Sequence, residues 1–364
     1  MDRVIGLITA NYETSQLGVL TGDRTIASLP YGGRYRLVDF PLSNMVNAGI
    51  RTVGVITPYK YRSIIDHLGA GKDWSLDRIH GGLFVLPGSV FGVASTNSRF
   101  LLRDIDRNLV YLMRSPTPYI LVASANTVYN MDYTALIESH VRSGADLTMV
   151  YQKAWQDSDY LTGLKLDGGR VVGVSKGVKA GENAFLDCFV ISRDLLLKII
   201  DWYSAINYLD LFEVLAGDYD KMDVELYEFK GYAGTIWDVD SYYRHSMELL
   251  QPRVYDELFR GDGLIQTKVQ DEVPTEYMKG ARVANSLIPN GCMIYGTVEN
   301  SVLFRGVRVE EGAVVRNSII MQSCVIEKGA CVENTILDRN NIIPAGSILK
   351  GVPGAPFIRE KGSL

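Results

Sequence analysis

From residue 1 to residue 250, short apolar runs alternate with amphipathic stretches. Residues 4–9, 53–57 and 119–123 (VIGLIT, VGVIT and YILVA) are compact and rich in β-branched side chains. Each reads as a strand buried on both faces, because a strand with one wet face would alternate apolar and polar residues. Between them, residues 37–47 carry Leu37, Val38, Phe40, Leu42, Met45 and Val46 in an amphipathic pattern. Strands separated by helices predict a mostly parallel sheet with helices on both sides. Over residues 146–192 the pattern changes to strands and turns, and helical patterns return at 194–204 and 239–250.

Beyond residue 250 the texture changes. Residues 251–280 have scattered charges, Pro252 and Pro274, and read as a linker packed on its neighbours. A repeat comes next. Asn300-Ser301-Val302-Leu303 recurs as Asn317-Ser318-Ile319-Ile320 and as Asn334-Thr335-Ile336-Leu337, at an interval of 17 residues. Gly312, Gly329 and Gly346 keep the same interval in a second phase. Apolar residues also recur near every sixth position (Val309, Val315, Met321; Ile326, Val332). Two phases at one period predict a solenoid of short parallel strands over residues 281–364, a β-helix of hexapeptide type, rather than a β-sandwich. The glycines supply turn conformations with positive φ.

Composition narrows the function classes. Of 364 residues, 47% are hydrophobic and 22% charged, as in an ordinary globular protein, which excludes a disordered chain. The formal net charge is −5 and no Lys/Arg block exists, so no nucleic-acid partner is expected. No apolar run approaches the ~20 residues of a membrane span. The first residues, MDRVIGLITANYE, lack the apolar length and cleavage site of a signal peptide. Cys188, Cys292, Cys324 and Cys331 form no CxxC pair, as expected of a reduced cytoplasmic protein with buried thiols and no structural metal.

The most specific stretches are SLPYGGRYRLVDFPLSNMVNAGI at 28–50 and VGVITPYKYRSIIDHLGAG at 53–71, with YILVASANTVYNMDY at 119–133 and DSYYRHSMELL at 240–250. Together they resemble the glucose-1-phosphate adenylyltransferases (ADP-glucose pyrophosphorylases) over nearly the whole chain. The resemblance implies an α/β fold: a Rossmann-like nucleotidyltransferase domain of GT-A type at 1–250, then a left-handed parallel β-helix. Catalytic members convert ATP and glucose 1-phosphate to ADP-glucose and pyrophosphate. That transfer depends on positioning and on neutralising phosphate charge. Three devices supply this: a Gly-rich loop with an arginine (AGGxGxRLxxLT), two aspartates holding Mg²⁺ (in AGDH and WxDVGT), and a lysine in RAKP.

Each device is altered here. Asn11, Tyr12 and Thr14 stand where the loop has glycines, and Gln16 replaces its arginine. A Tyr and Glu13 in that loop obstruct and repel a triphosphate. Ile26 occupies the lysine position. Asn126 and, by ungapped alignment, Thr235 replace the two aspartates, and two neutral residues cannot supply the charge a hard divalent cation needs. Asp238, three residues on, offers a substitute if the backbone shifts locally. The YxGTA segment that meets the base in catalytic members reads Ala94-Ser95-Thr96-Asn97-Ser98-Arg99-Phe100. A kept scaffold with its catalytic devices lost resembles the GlgD-type subunits of this family. That implies an allosteric, regulatory role in glycogen biosynthesis beside a catalytic GlgC-type partner. The expected assembly is a heterotetramer, with homo-oligomers also expected. No cofactor or metal is expected on this chain, and Mg²⁺ belongs to the partner. The alternative is a weakly active adenylyltransferase with an altered metal site.

Tyr31-Gly32-Gly33-Arg34-Tyr35-Arg36 sets two guanidiniums two residues apart, and Arg51 follows the next helix. In the resembling enzymes, basic residues here bind a phosphorylated metabolite at the junction of the domains. Arg34, Arg36 and Arg51 are therefore the candidate effector site. The competing reading pairs them with Asp39 and other carboxylates. His67 and His80, on or near a helix and loop, read as structural, and His140 reads as a helix-end residue that caps or faces solvent. No histidine follows His245, which argues against the acyltransferase chemistry common on hexapeptide β-helices. Trp74 reads either as a hydrophobic anchor or as part of the sugar-nucleotide cleft. The 21 tyrosines suit a large subunit interface.

Overall fold

A computed structural model describes residues 4–10, 15–57, 60–88, 99–114, 116–261 and 263–362. The first apolar run forms β1 (Val4–Thr9), buried along its whole length. β2 (Thr52–Thr57), β3 (Gly82–Pro87) and β4 (Tyr119–Ser124) join it in parallel. The 146–192 region forms β5 (Leu147–Lys153), β6 (Ser158–Asp167), β7 (Arg170–Val178) and β8 (Asn183–Ser192), and β9 (Val224–Glu228) comes after them. The sheet runs β7-β6-β8-β4-β1-β2-β3, with β5 pairing both β8 and β9. β8 meets β4 antiparallel, so the sheet is mixed. Val4 and Ile8 enter one apolar cluster while Ile5 and Leu7 enter another, which confirms burial on both faces of β1.

Four helices position the candidate sites. These are α1 (Asp39–Asn47), α2 (Arg62–Leu68), α3 (Val239–Glu248) and α4 (Pro252–Phe259). α4 lies inside the stretch expected to be linker. Pro252 opens it, where a missing N–H costs nothing because that donor has no intrahelical acceptor.

The solenoid has three sheets of parallel strands, as in a left-handed β-helix of hexapeptide type. Its first rung begins at Glu276–Tyr277, ahead of residue 281. The repeat has a physical cause at each of its positions. Asn300, Asn317 and Asn334 sit at φ of 45°, 45° and 48°, a left-handed corner that asparagine tolerates better than most residues. The next residue builds a ladder. Ser301 Oγ donates to Glu299 O and accepts from Ser318 N at 3.2 Å; Ser318 Oγ donates to Arg316 O and accepts from Thr335 N at 3.1 Å. Each buried hydroxyl is thus satisfied by the rung after it. Val309, Val315, Met321, Ile326 and Val332 are fully buried within the solenoid or at its seam.

That seam is apolar. Ile26, Tyr31, Phe40 and Tyr242 from the α/β domain share one cluster with Val302, Phe304, Ile319 and Ile336 from the β-helix. The hairpin of Pro30–Tyr31 and Tyr35–Arg36 reaches into it, turning at Gly32 and Gly33. Among the described residues, no helix is long and apolar enough to cross a membrane.

Gly33 has φ of 81°, and a side-chain carbon there would stand 3.0 Å from the Leu303 carbonyl oxygen of the β-helix. Gly33→Ala is therefore expected to lower stability by about 1–3 kcal/mol, measured by urea unfolding. An unchanged midpoint contradicts this close approach of the two backbones.

Candidate functional site

The degenerate cleft lies where the carboxyl end of β4 meets the entry to α3. Thr127–Val128 pairs antiparallel with Gly234–Thr235, and this small ladder brings the Asn126 and Thr235 positions together. Both side chains are buried and have hydrogen-bond partners within this ladder and the end of β4. Asn126 Oδ1 accepts from Ser124 Oγ at 2.5 Å, and Thr235 Oγ1 lies 3.2 Å from Thr127 Oγ1. Asp238, the possible substitute, is the N-cap of α3, accepting from Ser241 N at 2.7 Å and Ser241 Oγ at 2.6 Å. Its carboxylate is committed to the free amide groups of a helix start. No group of three or more His, Cys, Asp or Glu residues that could hold a metal occurs among the described residues. The residues present do not fit the Mg²⁺ site of the resembling enzymes.

Two further features fill this cleft, and the sequence reading missed both. The alignment that sets Thr235 at the metal aspartate also sets Trp237 at the glycine of WxDVGT. That glycine was the available signal. Trp237 stacks on Tyr160 with ring centroids 5.1 Å apart. Arg99 and Asp187 form a buried ion pair, and Arg99 Nη2 donates to Tyr160 O at 2.8 Å. Asp187 interrupts β8 at φ of 53°, and burial raises its pKa despite the Arg99 charge. Of the remaining degenerate positions, Ile26 is buried in the seam and Gln16 is exposed. Asn11, Tyr12, Thr14 and residues 94–98 lie outside the described residues.

A second site lies at the junction of the two domains. A cavity of about 320 Å³ opens there, walled by Arg24, Arg34, Arg36, Lys268, Arg305 and Arg339. Glu272 is the one carboxylate on its wall among the described residues. Arg24 is 2% exposed and forms a buried ion pair with Asp338 of the β-helix. Its Nε and Nη1 find no acceptor among the described residues. Arg36 is anchored from both sides: its backbone N–H donates to Asp39 Oδ2 at 2.9 Å, and its Nη1 donates to Ser63 Oγ at 2.9 Å. Burial, reinforced by Arg339 and Arg24, lowers the Arg36 pKa to about 10 even though Asp39 opposes this. Burial also lowers the pKa of Arg305 and of Arg339. Arg34 donates to Tyr35 Oη at 2.7 Å, with its guanidinium over that ring.

Arg34 and Arg36 are thus brought together, but Arg51 is not. It lies just before β2, where its Nη1 donates to Val46 O at 3.1 Å, and it does not line the cavity. It follows the carboxyl end of α1, whereas the junction is met by the other end of that helix, at Asp39 and Phe40. Arg24, Arg305 and Arg339 join from distant parts of the chain, which no local pattern announces. His67 also lines the cavity, 6% exposed, with Nε2 2.6 Å from Asp39 Oδ1. Trp74 is an anchor: it is fully buried and meets His67 edge-on.

The other single residues are structural. His140 does not face solvent. It is fully buried, with Nδ1 2.7 Å from Thr148 Oγ1, and burial pushes its pKa down to about 4. His80 is exposed and lines neither site. His245 lies 2.9 Å from Glu248 beneath the cleft. Cys188, Cys292 and Cys324 are buried, whereas Cys331 is only half-buried, on a solenoid strand; all four are free thiols.

Comparison with known proteins agrees with both halves of this architecture. Residues 6–160 match the nucleotidyl transferase family, and residues 272–351 match the GlmU-like C-terminal hexapeptide family. The chain is 39% identical to the glycogen biosynthesis protein GlgD of Geobacillus stearothermophilus, over 100% of this chain and 97% of that protein. It is 35% identical to GlgD of Bacillus subtilis, over 85% and 82% respectively. It is 31% identical to the glucose-1-phosphate adenylyltransferase of Clostridium beijerinckii, over 86% and 83%.

The Arg24–Asp338 pair gives a direct test of the junction. Removing one partner of a buried pair leaves an uncompensated charge, at a cost of about 3–5 kcal/mol. Asp338→Asn is expected to destabilise by that order in chemical unfolding, and the Arg24→Met, Asp338→Leu double variant by much less. Equal losses in both variants contradict the account.

Proposed function

As a member of the family that holds GlgD and the glucose-1-phosphate adenylyltransferases, this chain, we propose, serves glycogen biosynthesis as a regulatory, catalytically deficient subunit. The observation that carries this is the contrast between its two sites. The position of the metal carboxylates holds two neutral residues, Asn126 and Thr235, each hydrogen-bonded within the protein, beside Trp237 stacked on Tyr160. The junction, in contrast, concentrates cations that the carboxylates there, Asp338, Asp39 and Glu272, balance only in part. A subunit that has no chemistry of its own still needs a fold, an interface and an effector site.

In this reading the chain assembles in the cytoplasm with a catalytic GlgC-type homologue as a heterotetramer, and Mg²⁺ serves the partner. A phosphorylated metabolite binds Arg34 and Arg36, joined by Arg24 and Arg339. It acts by binding one state of the assembly more tightly than the other.

The test is an adenylyltransferase assay of this chain, of the catalytic chain and of their mixture. This chain alone is expected to give no turnover with ATP, glucose 1-phosphate and Mg²⁺, since each lost preorganised charge costs about 10²–10³ in rate. The mixture is expected to respond to phosphorylated effectors differently from the catalytic chain alone, and Arg36→Ala in this chain to remove that difference. Turnover by the isolated chain, or a mixture indistinguishable from the catalytic chain, contradicts the proposal.

A further inference from the structure

Among the described residues that line the junction cavity, one is a histidine. His67, on α2, is 6% exposed and lines the cavity beside Arg36. Its Nε2 is fixed by Asp39 Oδ1 at 2.6 Å, and Asp39 Oδ2 also accepts from Arg36 N. One carboxylate therefore orients both an arginine of the cavity and the imidazole. Among the described residues, no hydrogen bond occupies the second ring nitrogen, Nδ1. From this arrangement we infer that His67 is a further ligand for the anion in the cavity and binds it in its protonated form, so that the anion and one proton enter together. This rests on the junction being an anion site, as proposed above.

The charges around His67 support the assignment. On its own helix are Arg62 and Asp66, and Lys268 reaches Asp66 O with its ammonium group at 2.6 Å. On the turn at 72–74, Lys72 and Asp73 precede Trp74, whose ring meets the imidazole edge-on at 5.7 Å. From α1 and the hairpin come Asp39 and Arg36. Across the cavity stand Arg24, Arg34, Arg305, Arg339 and Glu272. Arginine, lysine and carboxylate side chains ordinarily keep their charge between about pH 5 and 8, and imidazole is the side chain that does not. A dianion beside the ring interacts more favourably with the imidazolium than with the neutral imidazole. Bound dianion therefore raises the proton affinity of His67, and by reciprocity protonation raises the affinity for the dianion.

This linkage sets the sign of the pH dependence. Anion affinity is greatest where His67 carries its proton and falls as pH rises and the ring loses it. One coupled proton limits the fall to about tenfold per pH unit.

Sulfate is the probe, because its own charge is constant through this range. The full chain would be titrated with sulfate by calorimetry at about pH 6 and about pH 8, in two buffers of different ionisation enthalpy. The expected result is several-fold tighter binding at the lower pH, proton uptake between zero and one per sulfate, and loss of both effects in His67→Gln with binding retained. The wild-type buffer comparison stands even if that variant fails to fold. Sulfate binding with no proton uptake, or uptake that persists in His67→Gln, overturns the role of His67 and leaves the anion site standing. No sulfate binding at either pH overturns the anion site itself.

Discussion

The Arg24–Asp338 pair joins the two halves of the molecule, and much of the junction depends on it. Arg24 comes from the first turns of the α/β domain and Asp338 from the last rungs of the solenoid, and both are nearly free of solvent. Taking two charges out of water is expensive, so such a pair persists only where geometry and neighbours support it. Asp338 meets one end of the guanidinium. The other nitrogens of Arg24 find no acceptor among the described residues, and Arg24 lines a cavity already crowded with positive charge. The apolar seam holds the domains in contact, while the ion pair fixes where they meet. The result is a pocket whose charges are only partly balanced by the protein.

α3 connects this pocket to the degenerate cleft by direct contacts. Tyr242 Oη donates to Pro30 O, and Tyr31 Oη donates to His245 O, both at 2.8 Å, so the 30–36 hairpin is bonded to α3 at two points. Tyr243 Oη donates to Asn317 O of the solenoid at 2.6 Å. The first turn of the same helix is capped by Asp238, immediately after Trp237. A chain of contacts is not in itself coupling, which needs an element with two states that both sites bias. The helix α3 is where such an element would have to act, because hairpin, solenoid and cleft all meet on it.

Features with a period or a local motif could be read from sequence. β1 matches its apolar run, and the 17-residue repeat found both the solenoid and the hydroxyl ladder's positions. The missing carboxylates were visible because motif spacing fixes single residues, and the same spacing held Trp237 in plain view. The rest depended on distance in space. Arg24 and Arg339 meet across more than three hundred residues of chain. Arg51 looked similar to Arg34 and Arg36, but its strand directs it to the Val46 carbonyl. Residues 251–280 read as a linker, and the helix that Pro252 opens went unseen, because a proline opens a helix only when the residues after it are helical. His140 read as a helix end, whereas tertiary packing buries it against Thr148.

The central claim is that the junction cavity is an anion site that also ties the domains together. Its most direct measurement is the unfolding free energy of the isolated chain against sulfate concentration, at constant ionic strength. Ligand that binds only the folded state adds RT ln(1 + [L]/Kd), so stability should climb by about 1.4 kcal/mol per tenfold rise in sulfate once the site is saturated. Arg36→Ala should flatten that climb. A sulfate dependence no steeper than that of chloride, or one unaffected by Arg36→Ala, would contradict the account.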